Sequence, residues 1–141
     1  MLISYSKDGI IKLWSFGGST FPGKAPQETI CDHESKIRSA DTFDWLLGAF
    51  DVDGKVTVRD LRRPQECICT LQIANVTRSQ HICFCDASTF AIGNSSAVEL
   101  YNVDGQFINM IDMENKIAFM GIQGSYLIAG IAIIIPRGNI I

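Results

Sequence analysis

A short phrase recurs along this chain and constrains its fold more than any other feature. Lys7-Asp8-Gly9-Ile10-Ile11-Lys12-Leu13-Trp14-Ser15 returns as Val52-Asp53-Gly54-Lys55-Val56-Thr57-Val58-Arg59-Asp60. A more degraded copy reads Ser95-Ser96-Ala97-Val98-Glu99-Leu100-Tyr101-Asn102. Matched by position, Trp14 and Arg59 are 45 residues apart, and Arg59 and Tyr101 are 42. Each copy is a turn followed by alternating polar and apolar residues, the pattern of a half-buried strand. Self-similarity at a period in the low forties makes each copy one supersecondary unit, which buries its apolar faces only by stacking on its neighbours.

The second unit shows what such a unit contains. Lys36 to Thr42 is expected as a strand, with Ile37 and Ala40 packing inward and Phe43-Asp44 as a tight turn. Trp45-Leu46-Leu47-Gly48-Ala49-Phe50 is wholly apolar, as a strand buried on both faces should be. Asp53-Gly54 supplies a hairpin turn. Lys55 to Arg59 is a half-buried strand, Pro64 interrupts pairing, and Cys67 to Leu71 is a fourth, outer strand. Four short antiparallel strands per unit predict an all-β chain of β-propeller blades. About two blades are nearly complete and two are partial, over approximate units 1–31, 32–72, 79–111 and 116–141. The first unit lacks its first strand, and a Gly/Pro-rich loop follows Trp14. The tail Ile131 to Ile141 carries no Asp-Gly.

The 141 residues are 47% hydrophobic and 19% charged, a globular composition and not a disordered one. Net charge is −3. The one basic cluster, Arg59, Arg62 and Arg63, is interrupted by Asp60, so no nucleic-acid partner is expected. Five cysteines without a signal-peptide pattern point to a reducing compartment, cytoplasmic or nuclear. The sequence has no Gly-x-Ser-x-Gly elbow, no P-loop and no Gly-x-Gly-x-x-Gly. No catalytic residue and no cofactor is therefore expected.

The stretch from Leu2-Ile3-Ser4-Tyr5-Ser6 through Trp14-Ser15 is similar to the central strand pair of WD-repeat propeller proteins. The chain resembles that family to about Gly130. Family strands end in Trp-Asp; here the pairs are Trp14-Ser15, Arg59-Asp60 and Tyr101-Asn102, so no unit keeps both letters. Family blades carry Gly-His before the first strand; here it is Asp32-His33. The resemblance implies that Asp8, Trp14, His33 and Asp53 are structural blade residues. It also implies that no unit completes the family's His, Ser/Thr, Asp and Trp lock, because Arg59 holds the Trp place in unit two and unit one lacks its His. The function it implies is a non-catalytic protein–protein scaffold or adaptor, with the substrate-recognition part of a ubiquitin-ligase receptor as one setting, although no F-box is present. Expected partners are other proteins, and either the remaining blades of a parent propeller or a second copy.

Two further features compete with that reading. Cys67-x-Cys69 and Cys83-x-Cys85 each place two thiols on one face of a strand, so together they are a candidate tetrahedral zinc set. The simpler reading is strand cysteines acting as small hydrophobes. Ile117 to Pro136 is twenty residues without a charge, long enough to span a bilayer, which makes a membrane-associated protein the alternative function. Gln123-Gly124-Ser125 interrupts that segment in strand–turn–strand register. Phe16, Phe21, Arg62 and Arg63 fall in or near loops, where binding residues concentrate.

Overall fold

The computed structural model describes residues 1–14, 28–63, 66–77, 80–123 and 126–130. They form thirteen strands, each pairing antiparallel with its neighbours in sequence, so the chain meanders sheet by sheet. The first sheet holds β1 (Leu2–Tyr5), β2 (Ile11–Trp14) and β3 (Glu28–Ile30). The second holds β4 (Ile37–Phe43), β5 (Leu46–Asp51), β6 (Lys55–Asp60) and β7 (Cys67–Gln72). The third holds β8 (Gln80–Phe84), β9 (Thr89–Asn94), β10 (Ala97–Asn102) and β11 (Phe107–Asp112). The fourth holds β12 (Phe119–Gln123) and β13 (Tyr126–Gly130). The described residues are all-β, with two four-stranded antiparallel sheets between a three-stranded and a two-stranded one.

Period-2 side-chain alternation decides how the sheets stack. From β5, Leu47 and Ala49 pack against Ile11, Leu13 and Ile30 of the first sheet. Phe50 points the other way and joins Val56 and Val58 against Ile82, Phe84, Phe90 and Ile92 of the third sheet. β9 repeats the arrangement, since Ala91 turns instead toward Ile117, Met120 and Leu127 of the fourth unit. The central strands are therefore buried on both faces, and Phe50 and Phe90 are fully buried. Each such ring contributes about 1.5–3 kcal/mol by leaving water.

The turn before β2, before β6 and before β10 also seats the linker to the next sheet. Gly9 and Gly54 have φ of 78° and 91°. A Cβ on Gly9 would lie 2.1 Å from the His33 carbonyl oxygen, and one on Gly54 2.3 Å from that of Ile73. Both the left-handed backbone and the close approach demand glycine. The third unit has no glycine there. Ser95 takes φ of 59°, and Met113 and Ile117 donate their N–H groups to the Ser96 and Ser95 carbonyls at 2.6 and 2.9 Å.

One strand expectation is corrected. Trp45 was expected in the doubly buried run, but Asp44 and Trp45 form the two-residue turn and β5 starts at Leu46. Asp44 takes φ of 51°, and Trp45 at the tip is 49% exposed. Residues 15–27 and 131–141, with Phe16, Phe21 and the Ile-rich tail, lie outside the described residues.

Candidate functional site

The densest polar cluster is built on the second unit, where the linker from the first sheet crosses the end of β5. His33 Nδ1 meets Asp51 Oδ2 at 2.7 Å, and Nε2 meets Thr57 Oγ1 at 2.9 Å. Asp51 Oδ1 accepts the N–H groups of Asp53 and Lys55, each at 3.0 Å, which closes the hairpin turn beneath it. The carboxylate beneath His33 is thus Asp51, not the turn residue Asp53. Asp53 is exposed and accepts a hydrogen bond from the Ser35 hydroxyl. Position explains the difference. Asp51 is the last residue of β5 and faces the linker, while Asp53 sits beyond it in the turn.

Acid, imidazole and hydroxyl in a row is also the order of a nucleophilic triad. Access separates the two roles. The His33 and Asp51 side chains are 0% and 2% exposed, and Thr57 is buried. No substrate carbonyl can reach Thr57 Oγ1 in this packing, so the row acts as an internal brace tying linker, β5 and β6 together.

The position matched among Trp14, Arg59 and Tyr101 is satisfied in three ways. Trp14 Nε1 donates to Ser4 Oγ at 2.9 Å. In the second unit the residue in the place of Ser4 is Ala49, and Arg59 instead reaches Asp32, with Nε donating to Oδ2 at 2.8 Å and Nη2 to Oδ1. Tyr101 donates to Glu99 Oε2 at 2.6 Å and stacks on Phe90, with ring centroids 5.7 Å apart. Burial and that acceptor raise the phenol's pKa. Asp32, missed as a partner in sequence, was visible only as the residue before His33.

The inner strands β4, β8 and β12 border an open cleft of about 450 Å³. Across it β4 binds β8 through side chains: Ser39 Oγ accepts the Ile82 N–H at 3.2 Å, and Asp41 Oδ2 the Phe84 N–H at 2.8 Å. Cys83 borders the cleft, but burial first, then Cys85 and Asp41, push its thiol up to about 12. A thiol held protonated in this way is a poor nucleophile and a poor metal ligand at neutral pH.

The four candidate zinc cysteines are not brought together. Cys67 and Cys69 lie on β7, the outer strand of the second sheet, whereas Cys83 and Cys85 lie on or just beyond β8, the inner strand of the third. Among the described residues no group of three or more His, Cys, Asp and Glu is placed to hold a metal ion. The 117–136 segment contributes the β12–β13 hairpin, and no helix among the described residues is long and apolar enough to cross a membrane. Arg62 lies on the exposed β6–β7 connection, bound to Asp60 at 2.7 Å, and this pair holds the Asp60 carboxyl down at about 2. The same connection touches the Trp45 tip, because the Leu61 N–H donates to the Trp45 carbonyl at 2.7 Å.

No protein-family model and no curated protein matches the chain. A solved structure does resemble it: the crystal structure of the computationally designed Ika8 protein, with a TM-score of 0.70 and 16% identity. The match covers 91% of this chain and 39% of that one, so the chain spans about two fifths of the designed protein's length. At that identity the likeness is one of fold alone.

Proposed function

We infer that this chain is a run of WD-repeat-like β-propeller blades serving as a non-catalytic protein–protein interaction scaffold. The observation that carries this reading is the stacking of successive antiparallel sheets, two of them four-stranded, with apolar side chains exposed on the first and last of the described sheets. The first sheet exposes Leu2 on the face turned away from the second sheet, and the fourth exposes Phe119, Tyr126 and Ile128 on the face turned away from the third. Apolar faces of this kind call for further sheets, as a closed ring of blades supplies. The scaffold role is supported by what lies outside the core. The polar row that resembles a catalytic triad is sealed, while Phe43, Trp45 and Arg62 stand exposed on rigid hairpins, and such side chains dominate interface energetics.

Peptide-display selection on the folded, immobilised chain tests the reading. Selected ligands should lose binding in Trp45→Ser or Phe43→Ser or in other exposed-loop variants whose unfolding temperature is unchanged. Ligands that respond only to core substitutions, or that bind the urea-unfolded chain equally well, would remove its support.

A further inference from the structure

The outer strand β11 departs from the rest of the molecule. All six residues, Phe107-Ile108-Asn109-Met110-Ile111-Asp112, are exposed. Phe107 is 58% exposed and Ile108 is 53%. The apolar surface covers both faces. Phe107 pairs with Tyr101 on the side of the second sheet, and Ile111 pairs with Val98 on the side of the fourth. Among the described residues β11 is bonded only to β10, and none of them pairs with its other edge. Stacking more sheets cannot close that edge, because added sheets cover faces while the edge points outward. β7 occupies the same place in the second sheet but is more polar, and Ile68 is its one exposed large hydrophobic residue.

Open edges are normally guarded by charge, proline or a bulge. Between Phe107 and Ile111 the strand has no charge and no proline, and its local guards are a bulge at Ile108, between the Phe107–Tyr101 and Asn109–Leu100 pairs, and Asn109, whose Oδ1 accepts the Met110 N–H at 2.9 Å. Carboxylates stand at the two ends instead: Asp104 in the turn before the strand, and Asp112 and Glu114 at its far end, all exposed. Among the described residues no ion pair engages these three, and Lys116 is the nearest cation in sequence.

We propose that β11 is a strand-addition site for an extended apolar peptide carrying Lys or Arg at both ends. Backbone hydrogen bonds to the open edge supply affinity, and alternate apolar side chains pack on Phe107 and Met110 or on Ile111. The terminal carboxylates select the charge of the ends. Charge also decides against a second copy as the occupant. An antiparallel β11 pair would bring the acidic end of each strand beside the acidic turn of the other. This proposal deepens the scaffold reading and rests on it for the class of partner.

The test is fluorescence anisotropy of a labelled Val/Thr-alternating peptide flanked by paired lysines, against its glutamate-flanked twin, on the full chain. The lysine peptide should bind at least about tenfold tighter, since two or three exposed ion pairs contribute about that much together. The combined variant Asp104→Lys and Asp112→Lys should invert the preference. Met110→Pro should abolish binding of both peptides by removing an amide, and Ile108→Lys serves if the proline variant unfolds. Equal binding of the twins, or a preference that survives charge reversal, overturns the proposal. A dimer in size-exclusion chromatography that Ile108→Lys dissolves would replace it with self-association. Binding lost in Trp45→Ser but untouched in the β11 variants would overturn it and leave the scaffold reading standing.

Discussion

Replacing His33 with alanine removes the group that joins Asp51 to Thr57 in the second unit. Two hydrogen bonds disappear, one of them to a carboxylate. A neutral bond contributes about 0.5–1.5 kcal/mol and one to a charged group about 1.5–3 kcal/mol. The two oxygens left behind stay buried, although Asp51 Oδ1 keeps its bonds to the Asp53 and Lys55 amides. Local collapse and water entry at the vacated site recover part of this loss. The expected cost is about 3–4 kcal/mol, a large fraction of the stability of an ordinary domain. Urea unfolding followed by tryptophan fluorescence measures it, with Trp14 and Trp45 as probes. Asp51→Ala should cost a similar amount, and the double variant with His33→Ala should cost well below the sum, because the two changes break the same contact. Asp53→Ala, on an exposed turn residue, should stay within about 1 kcal/mol. The reasoning is refuted if Asp53→Ala is as damaging as Asp51→Ala, or if His33→Ala costs less than about 1 kcal/mol.

Further outcomes follow from the packing and the titrating groups. Phe90→Ala, at a fully buried ring between the second and third sheets, should destabilise by about 3–5 kcal/mol in the same assay. Gly54→Ala should cost more than about 1 kcal/mol, because it combines positive φ with a Cβ forced against the Ile73 carbonyl; a neutral result would contradict that turn geometry. Iodoacetamide near neutral pH should label exposed Cys31 and Cys67 well before Cys83, whose thiol is buried and pushed up to about 12, as peptide mass spectrometry would reveal. Because the cysteine pairs lie on different sheets, added zinc should leave the thermal unfolding midpoint unchanged. Burial lowers the pKa of His81 below its ordinary 6.5, with the Ile117 backbone partly opposing. Its folded state therefore prefers the neutral ring. This contribution is complete above the ordinary value, is lost as pH falls below it, and levels off once the folded imidazole protonates too. Urea midpoints between about pH 7.5 and pH 5.5 should fall less in His81→Gln than in the parent.

What could be read from the sequence was local. The Asp-Gly turns announce themselves because positive φ restricts the residue type, and alternating runs such as Lys55–Asp60 announce strands because side chains on a strand alternate. The forty-residue period followed from repeating that unit. The apolar run Trp45 to Phe50 marked a central strand because only a strand covered on both sides can be so apolar, although Trp45 itself falls in the turn before β5. The candidate site was legible only in part. His33 and an acid of the following turn were both visible, but Asp51 and Asp53 are two residues apart and chemically identical. Which of them meets the imidazole depends on where the linker crosses the end of β5, a distance set across a sequence separation of 18. The same holds for Arg59, whose partner Asp32 comes from the preceding linker. It holds for the cysteines, where a favourable spacing within each strand says nothing about two strands placed at opposite edges of different sheets. The sequence by itself determined most of the strands and the Asp-Gly turns, since each depends on residues within one hairpin. Tertiary structure alone decided which side chains meet, that the brace is sealed, and that no other described strand pairs with the far edge of β11, because those depend on which faces and edges the neighbouring sheets cover.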